Sequence, residues 1–426
     1  MSQTGNKMPA ITDITAIGLE HHLGETRAYG MARGLTSVRN ATLIILETDG
    51  GITGIGEAWG PCAMVAAALD VLRPYFLNRD IYDHNQIATY FYSQRYHLGQ
   101  QNTLTSCLGG IDIAIHDVIG KHTNVPMYKL LGGLNERRVP VYASDGYFAV
   151  HPKHKLVDQL KAFRDQGFNG VKIKIGRGPE NDEERVAIAR RALGPEIKLM
   201  VDVNGNYTTD IALLSIRRIA SYDIHFYEEP LPPTDYNGYA VLRPRSSIAI
   251  ATGEALYTAH EFKRLMDING ADIWQPDLTL CGGLSVAREI STLAKLAHTR
   301  LSPHVWGGAV GLAAALHFTS AQSPWPHTDN VPYPVQLEYD QGEKPFIRPF
   351  MIDMASDHYA LDITRARKLL GWEPKHNIHE GIEELVGSLK ENPADWYEMN
   401  GILEPPWLAS ADSPPSAAPS SAAGGR

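Results

Sequence analysis

The chain has 426 residues, 43% hydrophobic and 20% charged, the balance of a soluble globular protein with room for two domains. Its formal net charge of −9 argues against a nucleic-acid binder, whose affinity rests on basic patches, but leaves an anionic substrate open, because a bound divalent cation would set the sign locally. Cys62, Cys107 and Cys281 show neither disulfide nor zinc-like spacing, no apolar run reaches a membrane span and no signal region opens the chain, so a cytoplasmic location is expected.

The first predicted elements are strands. ITDITAIGLEHHL and ATLIILETDGGITGIGEAW alternate apolar and polar residues, with Asp49, Gly50 and Gly51 as a hairpin turn. Between them HHLGETRAYGMARGLTSVRN has little periodicity and reads as a loop long enough to be functional or mobile. Over residues 64–129 the period becomes helical, with apolar residues at i, i+3, i+4 and i+7 in MVAAALDVLRPYF, NQIATYFYSQRYH and SCLGGIDIAIHDVIGKH. Strands followed by helices predict an α+β domain over 1–135. Leu131, Gly132 and Gly133, followed by Pro140, mark its boundary.

From 139 onward strand and helix alternate. VPVYAS, GVKIKI, KLMVDVN, HFYEEP, IAIATGE, ADIWQPD and RLSPHV read as strands, with PVQLEY as the last. Their recurrence every 23–30 residues predicts parallel βα units, and seven or eight of them favour a closed barrel over 136–350, with functional groups at the strand C-termini. Residues 351–408 are charged, are predicted to be helical and stand outside this rhythm. Residues 409–426 are low-complexity and predicted to be disordered.

The candidate site runs through the barrel. Lys172 and Lys174 lie two apart, so both emerge on one face of a strand. Asp202, Glu228, Glu254, Asp277 and His304 follow at gaps of 26, 26, 23 and 27 residues. A single strand-end carboxylate can simply cap a helix or pair with a surface lysine. Asp202, Glu228 and Glu254 on three successive strands offer hard oxygen ligands without cysteine, which suits Mg²⁺, or Mn²⁺ as a substitute, better than zinc. A lone KxK is usually a solvated strand face. One strand before the carboxylates, burial and a nearby cation would instead lower a lysine's pKa toward the range of a base. Asp277 bonded to one nitrogen of His304 would fix its tautomer and raise the pKa of the other. Glu338, ending the last predicted strand, could hold a substrate carboxylate, assist proton transfer or be structural. Together these groups suit cation-assisted removal of the proton α to a carboxylate.

The ordered series KIK, VDVN, EEP, TGE, QPD and PHVW, within residues 11–345, resembles the mandelate racemase-like subgroup of the enolase superfamily, whose sites are known to use a lysine or histidine base with Mg²⁺. The resemblance implies an α/β fold: a modified TIM barrel of (β/α)7β type with an N-terminal α+β capping domain. It implies Asp202, Glu228 and Glu254 as Mg²⁺ ligands, and Lys174 and the His304–Asp277 pair as acid/base groups. Lys172 would neutralise the substrate carboxylate and Asn204 would lie beside the metal. Capping loops near 21–36 and 59–61 would choose the substrate, and Tyr29, Arg33 and Trp306 are further candidate substrate contacts. KIKIG, QPDLTLCGG, PHVWGGAVGLAAALHF and the LEYD…PF ending are similar to galactarolactone cycloisomerases, and sugar-acid dehydratases share many of these features. The implied reaction is Mg²⁺-dependent β-elimination on a sugar acid or its lactone. A racemase or epimerase is the alternative of the same class, and a non-catalytic binding protein that of another. The expected partners are a small carboxylate and further copies of the chain, with no nucleic acid or membrane. One stretch departs from the family: Asp362, Ile363 and Thr364 with the later LLGWEP resemble the tail of nucleotide-sugar epimerases, although no Gly-rich dinucleotide fingerprint occurs elsewhere.

Overall fold

The computed structural model describes residues 8–133, 138–150 and 156–333. The first of these form β1 (Ile11–His22), the short β2 (Tyr29–Met31) and β3 (Gly34–Thr36), then β4 (Val38–Thr48) and β5 (Thr53–Ala58). β1, β4 and β5 make an antiparallel sheet in that order, and their alternation buries Ile14, Ile44 and Leu46. At the β4–β5 turn the Gly51 N–H donates to Thr48 O at 3.0 Å, with Gly51 at a φ of 72°, a left-handed conformation that glycine adopts without steric cost.

Helices α1 (Cys62–Phe76), α2 (His84–Gln94), α3 (Thr103–Thr123) and α4 (Met127–Leu130) follow. α3 lies so close to β5 that a Cβ at Gly56 would collide with the Gly110 carbonyl oxygen. The core of this cap is made by Leu69, Leu72, Phe76, Phe91, Ile111 and Ile115, each worth roughly 1.5–3 kcal/mol on full burial.

Next come β6 (Val141–Ser144), β7 (Phe148–Ala149), β8 (Gly170–Lys174), β9 (Lys198–Asp202), β10 (Ile224–Glu228), β11 (Ile250–Thr252), β12 (Ile273–Trp274), β13 (Arg300–Leu301) and β14 (Val331–Tyr333). Between them run α5 (Leu156–Asp165), α6 (Pro179–Leu193), α7 (Thr209–Ile219), α8 (Tyr236–Leu242), α9 (Thr258–Asp267), α10 (Leu278–Cys281), α11 (Gly283–Ala297) and α12 (Ala309–Ser320). The parallel sheet has the order β13-β12-β11-β10-β9-β8-β6-β14. Its two ends meet: Leu301 bridges Thr328, Leu301 N donates to His327 O at 2.9 Å and Asp329 N to Leu301 O at 2.8 Å. The sheet thus closes on itself as a barrel, with the α+β cap preceding it in the chain.

Two expectations need correction. The stretch between β1 and β4 is partly ordered, because β2 pairs with both β3 and β7 in a small sheet of its own. Strands of two or three residues are too short to show alternation in sequence. The strand that joins β6 is Val331–Tyr333, just before the predicted PVQLEY. That segment, Glu338, the 351–408 extension and the 409–426 tail all lie outside the described residues.

Alternation sorts the barrel residues by face. Val171, Ile173, Leu199, Val201 and Tyr227 join the large core shared with the helices, whereas Tyr142, Met200, Phe226, Ala251 and Ile273 form a separate cluster inside the barrel. On the same inward face lie Lys172, Lys174, Asp202 and Glu228, none more than 6% exposed. Burying such charges costs several kcal/mol each unless they are paired, so their arrangement is tightly constrained. Among the described residues no helix is long and apolar enough to cross a membrane.

Candidate metal and proton-transfer site

Strand register sets the level of the site. Lys174 is the partner of Asp202 across β8–β9, and Asp202 that of Glu228 across β9–β10. Glu254 lies two residues beyond β11, past Gly253 at a φ of 130°. Carboxylate oxygens of Asp202, Glu228 and Glu254 fall within 4.8 Å of one another.

The buried charges of β8, β9 and β10 pair with one another. The Lys172 ammonium donates to Glu228 Oε1 and lies 3.5 Å from Asp202 Oδ2, while the Lys174 ammonium donates to Asp202 Oδ2. Gln275 Nε2 donates to Glu228 Oε2 at 2.6 Å, and Asn204 N to Asp202 Oδ1 at 2.8 Å. Burial pushes the Glu228 carboxyl up to about 7, against Lys172 and reinforced by Asp202 and Glu254. Burial also raises Asp202, but Lys174 and Lys172 outweigh it and hold that carboxyl below the usual range. For Lys172 the expected lowering by burial is present, yet Glu228 and other nearby acidic groups overcome it and hold the ammonium charged.

On the other side of the carboxylates stands His304. Its Nδ1 bonds Asp277 Oδ2 at 2.8 Å, and its Nε2 lies 3.2 Å from Glu254 Oε2. Asp277 is fixed in turn, because its Oδ1 accepts from Thr279 N (2.8 Å) and Thr279 Oγ1 (2.6 Å) as the N-cap of α10. With the Nδ1 proton directed at a carboxylate, Nε2 is the nitrogen left to face the pocket. Burial lowers the His304 pKa, but Glu254 and Asp277 overcome that and raise it.

The pocket fits a hard divalent cation. Five buried or half-buried carboxylates (Asp202, Glu228, Glu229, Glu254, Asp277) face two lysines and one histidine. Glu254 Oε2 and Asn204 Oδ1 are buried and make no hydrogen bond. Oxygen donors with unspent lone pairs and excess negative charge are what Mg²⁺ coordination asks for.

The structure brings Lys172, Lys174, Asp202, Glu228, Glu254, Asp277 and His304 together, with Asn204 at their edge. Tyr29 and Trp306 meet in an aromatic group with Tyr147, at centroid distances of 5.2 Å (Tyr29–Tyr147) and 5.5 Å (Tyr147–Trp306). The Lys174 ammonium lies 5.2 Å from the Tyr147 ring centre. Arg33 instead ties the cap to the loop after β9, donating to Gly205 O and to Asn206 Oδ1. The sequence reading missed Gln275, Glu229 and Tyr147. Gln275 and Glu229 stand inside the quoted QPD and EEP motifs, so the motifs signalled them. Tyr147 precedes a strand too short to predict.

Comparison with known proteins gives a consistent result. A model described as the mandelate racemase/muconate lactonizing enzyme N-terminal domain matches residues 20–132, and one described as an enolase C-terminal domain-like region matches 155–352. The chain is 35% identical over 311 residues to a D-galactarolactone cycloisomerase of Agrobacterium fabrum, covering 72% of this chain and 82% of that one. It is 34% identical over 291 residues to an arabinonate dehydratase of Saccharolobus solfataricus, covering 66% and 76%. A crystal structure of a racemase from Streptomyces coelicolor with bound magnesium superposes with a TM-score of 0.67 at 26% identity, covering 77% of this chain and 90% of that one.

Proposed function

The chain belongs to the mandelate racemase/muconate lactonizing enzyme group of the enolase superfamily, an isomerase or lyase of sugar-acid type, and from that premise we propose that it catalyses β-elimination on a sugar acid or its lactone with Mg²⁺. The observation that carries this reading is the placement of Lys174 and His304 on either side of the three carboxylates Asp202, Glu228 and Glu254.

Asp202, Glu228 and Glu254 would hold the cation, which supplies positive charge where the substrate carboxylate becomes more negative as its α-proton leaves. Lys172 adds a fixed positive charge on the same side. One of Lys174 and His304 takes the α-proton, and the other gives a proton to a departing hydroxyl or, where a lactone's carboxylate leaves unprotonated, to Cβ as the enol becomes the keto acid. The Cα–H and Cβ–O bonds break, a Cα=Cβ bond forms, and the resulting enol becomes a 2-keto acid. In a dehydratase the oxygen leaves as water, in a lactone-opening enzyme as a carboxylate. Asp277 keeps the His304 proton on Nδ1, so that Nε2 does the transfer. Mn²⁺ is the natural substitute to try.

Incubation of the purified protein and Mg²⁺ with a panel of sugar acids and lactones in D₂O tests the proposal. EDTA-sensitive keto-acid formation is the expected result, and neither turnover nor α-proton exchange across the panel would sink it. The same two-sided placement also suits a racemase, which would return the substrate's mirror configuration and no keto acid.

A further inference from the structure

A second group of ligand-type side chains lies outside the barrel site, where the cap meets the outer helices. Asp112 and His116 are four residues apart on α3 and therefore share a face. His84 opens α2 beside them, its ring centre 5.0 Å from that of His116. One ring nitrogen from each histidine and one Asp112 carboxylate oxygen lie within 4.8 Å of one another. The group borders a cleft of about 450 Å³ lined in part by Thr258 and His260 of α9 and Glu289 of α11.

The hydrogen bonds around the group orient it for a ligand. His84 Nδ1 bonds Ile81 O at 3.0 Å, and His116 Nδ1 bonds Asp112 O at 2.8 Å. A carbonyl only accepts, so both Nδ1 atoms carry a proton, and Nε2 is the nitrogen that each ring would offer to a metal. That backbone lock is the usual outer-sphere support of a metal-bound imidazole. Asp112 is held in place by Ser285, whose N and Oγ donate to its two oxygens at 3.0 and 2.6 Å. Its oxygens lie 3.8 Å from His84 Nε2 and 3.4 Å from His116 Nδ1, the first beyond direct hydrogen bonding. Donors about 2.0–2.2 Å from a tetrahedral ion are separated by roughly 3.3–3.5 Å, so ligand atoms that lie within 4.8 Å of one another would have to draw together to enclose one.

We propose that His84, Asp112 and His116 form a second metal site, selective for a borderline cation of the Zn²⁺ class and joining the cap helices to α11 of the barrel. Two imidazoles and one carboxylate suit Zn²⁺, Co²⁺ or Ni²⁺ rather than Mg²⁺, so the two sites would sort metals by donor type. The fourth position faces the cleft, open to water.

The test is equilibrium dialysis of the full chain against Zn²⁺ in excess Mg²⁺, followed by metal analysis. One Zn²⁺ retained per chain in the wild type and in Glu254→Gln, but lost in His84→Ala and His116→Ala, is the expected result. Loss of a ligand should weaken Zn²⁺ by more than the roughly 10–100-fold that loss of an outer-sphere partner costs. Zn²⁺ that disappears with Glu254→Gln and persists in His84→Ala would place the ion at the barrel mouth and overturn the proposal. So would a wild-type chain that retains none. His84 is half-buried at the start of its helix, so His84→Ala carries the test if the buried His116→Ala fails to fold.

Discussion

Glu57, near the end of β5 in the cap, closes the N-terminus of α12 in the barrel: its carboxylate accepts from the backbone N–H of Gly311 at 2.9 Å and from that of Gly308. A buried carboxylate there satisfies two orphan donors and meets the positive end of the helix dipole. Gly308 follows Trp306 by two residues and His304 by four, so the cap positions the loop that carries both.

Glu57→Ala should leave those two N–H groups unpaired, at about 1–3 kcal/mol for each. Denaturant unfolding should show the loss, and Glu57→Gln, which keeps an acceptor, should recover part of it. Because Glu57 touches no proposed reacting group, a fall in kcat in the stable Gln variant would show that it acts by positioning the loop.

Lys174→Ala and His304→Asn should each lower turnover by roughly 10²–10⁴-fold, the usual effect of removing a general acid or base. Exchange of the α-proton in D₂O tells the two apart. The variant that lost the base should lose exchange and turnover together. The variant that lost the acid should keep exchange without elimination. Full activity in both variants would refute the assignment.

Lys172→Met removes the ammonium bonded to Glu228. Breaking a buried pair by deleting one partner typically costs about 3–5 kcal/mol. A cation at the carboxylates would offset part of it, by about 2.7 kcal/mol at a hundred times its Kd. Thermal unfolding with Mg²⁺ and with EDTA should therefore show a larger Mg²⁺-dependent rise in Tm for Lys172→Met than for the wild type. Glu254→Gln should show little rise.

His317, on α12, accepts from Tyr128 N through Nδ1 at 3.2 Å, and burial pulls its pKa down to about 4. Its folded pKa is below the unfolded value of about 6.5, so the unfolded chain takes up the proton first. Stability from this group is complete above about pH 6.5 and is lost as the pH falls toward 4, by about 3 kcal/mol in all. His317→Gln keeps an acceptor for Tyr128 and should flatten the urea-midpoint profile over that window.

The barrel could be read from the sequence because its strands recur and because charged residues stand at the ends of apolar runs. Lys172, Lys174, Asp202 and Glu228 needed only alternation and order to be placed on one inward face, whereas Glu254 lies beyond its strand and was marked by its spacing alone. Glu57 could not be read that way. Its partners lie 251 and 254 residues away, and no local period connects them. β2, β3 and β7 were hidden for a different reason, since their order comes from pairing with one another rather than from any pattern within a strand. His84, Asp112 and His116 were equally hidden, because two of them read as ordinary positions on a buried helix.

The closure of the barrel gives the two proposed proton-transfer groups, Lys174 and His304, unequal mechanical footing. Lys174 belongs to β8, which is in register with β9 over five residue pairs and with β6 on its other side. His304 stands three residues past β13, a strand of only two residues, and its backbone is held there by a single bridge to Asp277, with His304 N donating to Pro276 O at 3.1 Å. One group is held by a run of register pairs and the other by one bridge beyond a strand end. Substitutions that retune which proton moves first, and so the product, should therefore accumulate along the β13–β14 seam while the wall around Lys174 tolerates few.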